Sequence, residues 1–246
     1  MISELDKLHF ASTKIGYGNP KGDYWFIGPE EGGSIEGNKD RIQVWIELGS
    51  NEHFHDMKDF HLSLSKREGY EELQRFFSAK VKLQSTWNGI MKILFPLLSE
   101  KDKTLEKRRN YQKDFLGRKN GATVIAELFP FSSKSLADKK SKDFLTKSKE
   151  QYWNDYGHLR ESLLCDQILK YRPKVVCFYS TSFNENWQRI IEKLNPSFQN
   201  FESIGDLPMK YFKNNETVFI IIPHPIARSM NRKHEQIGLA IKELIE

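Results

Sequence analysis

Tyr24-Trp25-Phe26-Ile27-Gly28-Pro29-Glu30-Glu31-Gly32-Gly33 changes character at its midpoint. Its first half is aromatic and β-branched, the composition of a buried strand. The second half cannot continue as strand. Pro29 removes a backbone donor, and Gly32-Gly33 permits φ > 0 and close approach of another molecule. Between these breakers sit two adjacent carboxylates, Glu30 and Glu31. A buried strand that ends in a glycine-flanked carboxylate pair puts charge at the carboxyl edge of a sheet, where open α/β folds bind ligands. Taken alone, the stretch is equally an ordinary strand followed by a solvated turn.

Working outward, similar runs recur with helical stretches between them. Residues 1–22 have weak periodicity and end in a turn cluster, which predicts an N-terminal covering segment. Asp40 to Gly49 reads as a short helix capped by Asp40. Glu71 to Phe77 is predicted helical. So is Trp87 to Leu98, with Ser85 or Thr86 as its cap. Ala122 to Pro130 reads as a second buried strand stopped by proline, and it contains a carboxylate, Glu127. A carboxylate in so apolar a run needs a partner, either a core salt bridge or a ligand at the strand end. Tyr152 to Tyr171 is a long amphipathic helix. Val175 to Tyr179 is a third strand, followed by candidate caps at Ser180, Thr181 and Ser182 and a helix from Phe183 to Leu194. Lys210 to Lys213 and Thr217 to Ile222 predict a hairpin around Asn214-Asn215. Ser229 is placed as the cap of a last helix ending near Ile245. Strands alternating with helices argue one domain over residues 1–246, an α/β three-layer sandwich with a central, mostly parallel sheet.

Composition narrows the function classes. The chain has 246 residues, 38% of them apolar, and no run approaches a membrane span. Its first residues lack the apolar run of a signal peptide, so the expected location is the cytoplasm. Cys165 and Cys177 fall in a predicted helix and strand and read as buried fillers. Two cysteines exclude a four-cysteine cluster within one chain, and no metal or other cofactor is expected. His53, His55 and His61 lie near Asp56 and Asp59, but without a convincing ligand spacing they read as solvated side chains. Net charge is +5, with a pI near 9.0. Two basic runs, Lys101–Lys119 (including Lys107, Arg108 and Arg109) and Lys134–Lys149, carry much of it. They suit phosphate contacts, although interspersed acids also fit a solvated face.

A second site candidate is Ile220-Ile221-Ile222-Pro223-His224-Pro225-Ile226-Ala227-Arg228-Ser229. A histidine between two prolines sits on a stiff backbone at the end of an apolar strand. With Glu30 it gives one carboxylate and one imidazole at rigid strand ends. That pairing suits cleavage of a bond whose transition state carries charge in two places.

Here a resemblance enters. Phe26-Ile27-Gly28-Pro29-Glu30-Glu31-Gly32 is similar to the first motif of the uracil-DNA glycosylase superfamily, written variously GQDPY, GEAPG or GMNPG. His224-Pro225-Ile226-Ala227-Arg228-Ser229 resembles its second motif, HPSPLS. Order, spacing and strand context match over most of the chain from Tyr24 onward. Ala126-Glu127-Leu128 corresponds to the strand where members often carry a base-reading Asn. The resemblance implies a monomeric, metal-free, monofunctional glycosylase acting on a base flipped from double-stranded DNA. Its carry-over makes Glu30 and His224 catalytic. Glu31, Gly32 and Glu127 would bind the base, with Trp45 preferred over Trp25 and Phe131 as the stacking ring. Arg228, Ser229, Lys107, Arg108 and Arg109 would hold DNA, with Arg228 filling the vacated stack or gripping a phosphate.

The departures bear on the substrate. Glu31 stands where the motif has Pro, Glu30 where it often has a water-activating Asp or Asn, and Glu127 where it has the uracil-selecting Asn. Ile226, Ala227 and Arg228 replace Ser, Pro and the wedge Leu. An ionised Glu127 only accepts hydrogen bonds, which suits a cytosine N4 amino group and opposes uracil O4. The expected base is therefore a C5-modified cytosine, such as the glucosylated hydroxymethylcytosine of some phages, excised in phage defence. The alternatives are a uracil or damaged-base repair glycosylase, a non-catalytic module that binds modified DNA, and a hydrolase of free nucleosides.

Overall fold

The computed structural model describes residues 2–33, 37–132 and 149–246. Its strands are β1 (Gly16–Gly18), β2 (Tyr24–Gly28), β3 (Phe54–His55), β4 (Thr123–Glu127), β5 (Val175–Tyr179), β6 (Glu202–Ser203), β7 (Lys210–Lys213) and β8 (Val218–Ile222). Its helices are α1 (Glu4–Thr13), α2 (Asn38–Gly49), α3 (Met57–Leu64), α4 (Ser85–Leu97), α5 (Leu105–Asp114), α6 (Lys149–Tyr171), α7 (Asn184–Leu194) and α8 (His234–Ile245). Among the described residues the strands form one sheet in the order β3-β1-β4-β2-β5-β8-β7-β6. The central four, β4-β2-β5-β8, are parallel. β1 runs antiparallel to β4, and β7 pairs with β8 as the expected hairpin. The hairpin turn is closed by Asn214, whose Oδ1 accepts from the backbone of Glu216 and Thr217.

This is an α/β fold with a mixed, mostly parallel sheet between helical layers. Every residue of β2, β5 and β8 is buried, as expected of strands covered on both faces. Alternation along β2 shows the two covers. The Tyr24 hydroxyl donates to the Leu97 carbonyl at the end of α4, while the Trp25 ring lies beside Tyr171 at the end of α6. From β2 the parallel pairing moves outward to β4 on one side and to β5 and then β8 on the other. The order reverses at β2 and β5, which opens a crevice at their carboxyl ends.

Several local expectations are corrected. Residues 1–22 do more than cover, since β1 is a strand of the sheet. Asp40 does not cap α2, which starts behind Gly37 without a side-chain cap. The α4 cap is Gln84, one residue before Ser85, and its side chain accepts from the Trp87 amide. Ser229 lies in a short 3-10 turn, Arg228–Met230, and α8 begins behind Lys233 with no side-chain cap. Ser180, at φ 77°, gives no side-chain cap to the turn after β5. The basic run from Lys134 lies outside the described residues, and only the backbone of Lys149 enters, as the first residue of α6.

Candidate functional site

The carboxyl ends of the four parallel strands converge on one cavity of about 500 Å³. Glu30 and Glu31 reach it from beyond β2, Glu127 from the end of β4, Tyr179 from the end of β5 and His224 from beyond β8. The two sequence stretches that nominated themselves separately thus share one wall. A volume of this size is typical of a small-molecule site.

Glu31 is held in a clamp. Arg41 Nη1 lies 2.8 Å from Oε2, the Tyr17 hydroxyl donates to Oε2 at 2.9 Å, and His61 Nε2 lies 3.2 Å from Oε1. Burial alone would raise the Glu31 pKa, but Arg41, His61 and Lys14 outweigh it and hold the carboxyl well below its usual range. His61 Nδ1 donates to the Met57 carbonyl at 2.7 Å, which fixes the ring with Nε2 facing Glu31. His61 and His55 are buried, correcting the expectation of solvated histidines. Among the described residues no His, Cys, Asp and Glu cluster has metal-site geometry. Glu31 is a fixed negative charge on the cavity wall.

Glu127 is its opposite. Burial, reinforced by the charges of Glu31 and Glu30, pushes its pKa up to about 8, against the pull of Lys14 and the Tyr179 hydrogen bond. The Tyr179 hydroxyl donates to Oε1 at 3.3 Å, and Oε2 is buried with no hydrogen-bond partner among the described residues. At neutral pH the side chain is a carboxylic acid, with one donor and one acceptor. Protonated, Glu127 donates as well as accepts, so the accept-only behaviour of an ionised side chain does not apply to it. Gly28 makes this arrangement possible, since a Cβ there would lie 2.2 Å from the Tyr179 ring. Behind Glu127, the buried Arg160 donates to the carbonyls of Glu127, Leu128, Ala11 and Lys14 at 2.6–2.9 Å. It ties the end of β4 to the end of α1.

His224 is neutral by environment, its pKa lowered by burial. Its Nδ1 accepts from the Ile226 amide at 3.4 Å, which leaves Nε2 to carry the proton. The Tyr179 ring meets it edge-on at 5.5 Å. A neutral imidazole that donates through Nε2 can stabilise developing negative charge without giving up a full proton.

The remaining nominated residues divide. Gly32 lines the cavity, and a Cβ there would meet nothing within 4 Å. Neither Gly32 nor Gly33 uses φ > 0. Gly33 is needed because a Cβ would lie 2.8 Å from Ser132 Oγ. Trp45 cannot stack on a ligand: it is fully buried in the core, with Phe10 and His9 edge-on to it. Trp25 and Phe131 are core residues too. Arg228 and Ser229 are exposed beside the His224 loop. Lys107 pairs with Glu100 at 2.8 Å, whereas Arg108 bonds to Asn88 and the Lys103 carbonyl. Arg109 is exposed on α5.

Sequence reasoning missed Tyr17, Arg41, His61 and Tyr179. Two of these carried a signal. Arg41 precedes Trp45 by one helical turn, on the buried side of α2, and a cation there needs a carboxylate. His61 occupies the apolar face of α3 with Met57, Phe60 and Leu64. No protein-family model matches the chain, and no curated protein matches it in sequence.

Proposed function

We propose that the chain is a monofunctional DNA glycosylase that takes a flipped base into this cavity and hydrolyses its glycosidic bond, leaving an abasic site. The observation behind it is the meeting of Glu30, Glu127 and His224 around one cavity at the switch point of the sheet. The motif order and this placement also support a uracil-DNA glycosylase-like form of the sandwich. The target base must leave the stack, because its glycosidic bond is unreachable there. As the C1′–N bond breaks, its electron pair goes to the base and the sugar becomes an oxocarbenium ion. The Glu30 carboxylate stabilises that cation and takes a proton from the water that attacks C1′. His224 Nε2–H donates to the O2 of the departing pyrimidine anion.

The base is read by Glu127. A neutral carboxyl donates to cytosine N3 and accepts from N4, or donates to uracil O4 and accepts from N3–H, so it fits both edges. Discrimination then falls to the C5 side. Beyond Gly32 and Arg41 the cavity adjoins a recess of about 470 Å³ lined by Tyr70 and by Asp40, Glu68 and Glu72. Carboxylates beside an aromatic ring suit the hydroxyls of a neutral sugar and repel phosphate. We therefore favour a hydroxylated or glycosylated C5-modified cytosine in duplex DNA, and a role in phage defence rather than repair. Ile226, 60% exposed at the cavity mouth, is the apolar side chain available to enter the vacated stack, with Arg228 on a phosphate. We place this activity in the cytoplasm, in a monomer. No helix among the described residues is long and apolar enough to cross a membrane.

The test is incubation with matched duplexes containing uracil, cytosine, hydroxymethylcytosine or glucosylated hydroxymethylcytosine. Alkali cleavage and mass analysis of the released base follow. Release of the glucosylated base is the expected outcome. Preferred release of uracil would reassign the enzyme to repair, and binding without release across the panel would favour the non-catalytic module.

A further inference from the structure

Two joined recesses continue from the cavity mouth at Ile226. The first, about 480 Å³, meets the cavity at Ile226 and is lined by Asn88 and Lys92 of α4 and by Arg228 and Asn231. The second, about 290 Å³, shares Lys92, Asn231 and His234 with the first and adds Arg108, Arg232 and the Lys103–Glu235 ion pair. Glu235 is the one acid among the described lining residues of either recess, and Lys103 neutralises it.

Several basic side chains elsewhere on the described surface are matched. Lys107 pairs with Glu100, Lys119 with Glu52, Arg172 with Glu216 and Lys174 with Asp23. In the recesses, Lys92, Arg108, Arg228 and Arg232 meet no carboxylate at ion-pair distance among the described residues. Arg108 is held by neutral acceptors, Asn88 Oδ1 at 2.9 Å and the Lys103 carbonyl, so it is oriented with its charge uncompensated. Two contacts join the walls. His234 Nε2 lies 2.7 Å from the Pro225 carbonyl and ties the start of α8 to the His224 loop. α4 lies against the same loop at Gly89, where a Cβ would be 2.7 Å from Pro225 Cβ. Unmatched cations spread over two joined recesses, with amide donors between them, fit successive phosphates of a polymer rather than one anion.

We propose that this groove is the track for the phosphates of a nucleic-acid strand, entering at Arg228 and running past Lys92 to Arg108 and Arg232. The assignment rests on the glycosylase reading for what enters the cavity, but the track itself is testable without catalysis. Affinity for an unmodified duplex is measured by anisotropy between about 50 and 200 mM salt. The wild type is compared with Lys92→Gln/Arg232→Gln and with a control, Lys107→Gln/Lys119→Gln. The first pair should flatten the log–log salt slope by about 1.8, at roughly 0.9 per lost phosphate contact, and the control should leave it unchanged. All four side chains are surface groups, and matched melting curves confirm folding. Equal slopes for wild type and the Lys92/Arg232 variant would overturn the track. So would binding of polyglutamate in preference to the duplex. Excision by a wild type whose slope ignores Lys92 and Arg232 would refute the track and spare the glycosylase. A slope that responds in a protein with no excision would do the reverse.

Discussion

Replacing Glu127 by Gln should stabilise the protein at neutral pH and do nothing for it in acid. The side chain is buried at the end of β4, and its pKa moves from an ordinary 4.5 to about 8. Folding therefore requires it to hold a proton that the unfolded chain releases. The sign follows directly. Below pH 4.5 both states are protonated and the residue is neutral to stability. Between 4.5 and about 8 stability is lost as pH rises, and above 8 the loss is constant. At pH 7 the difference from 4.5 is about 2.5 pH units, worth roughly 1.4 kcal/mol each, or about 3 kcal/mol. Gln has the shape and the donor–acceptor pair of the protonated acid and carries no such cost. At roughly 2–4 °C per kcal/mol for a chain of this size, Glu127→Gln should raise Tm by roughly 6–12 °C at pH 7. Calorimetry at pH 4 should show almost no difference. On the proposed glycosylase reading, the same proton matters to base recognition. Wild-type excision should fall as pH rises through about 8, while Glu127→Gln keeps its activity there. Equal stabilisation at both pH values, or a Gln variant less stable at pH 7, would refute a neutral Glu127.

Three further outcomes follow from the geometry. Gly28→Ala should cost about 1–3 kcal/mol by overpacking against the Tyr179 ring, and a second change, Tyr179→Ala, should recover part of it in denaturant melts. Arg160→Leu should cost about 3 kcal/mol or more, because four carbonyls lose their donor, and Arg160→Lys should not restore them; urea titration of both variants decides this. Ile226→Ala should slow excision from duplex more than from single-stranded DNA, since only the duplex has a stack to fill. Equal slowing on the two substrates would remove Ile226 from that role.

What was legible in the sequence was what local composition determines. Tyr24–Gly28, Val175–Tyr179 and Val218–Ile222 are apolar runs bounded by breakers, and each is a fully buried strand. Glu30, Glu127 and His224 were legible because a polar group at the end of so apolar a run must meet a buried partner, solvent or a ligand, and all three line one cavity. The short strands were not legible. β1 is three residues of Gly-Tyr-Gly, and β3 is two residues held by pairing with β1 rather than by propensity. Protonation states were invisible as well. Glu31 is charged and Glu127 neutral because Arg41 and His61, distant in sequence, pack against the first and not the second. Trp45 was misplaced because proximity in sequence to the carboxylate turn says nothing about which face of α2 it occupies. The basic run divided for a similar reason: helical spacing sends Lys107 to Glu100 and Arg108 to the groove.

On the proposed mechanism, Glu30 and His224 act at opposite ends of one charge separation. The most direct test is single-turnover excision from a duplex bearing a glucosylated hydroxymethylcytosine, by wild type, Glu30→Gln and His224→Ala, at pH 7 and with folding verified. Loss of each group should lower the rate by about 10²–10³-fold while duplex affinity stays near that of the wild type. A folded Glu30→Gln protein that releases the base at the wild-type rate would contradict the account.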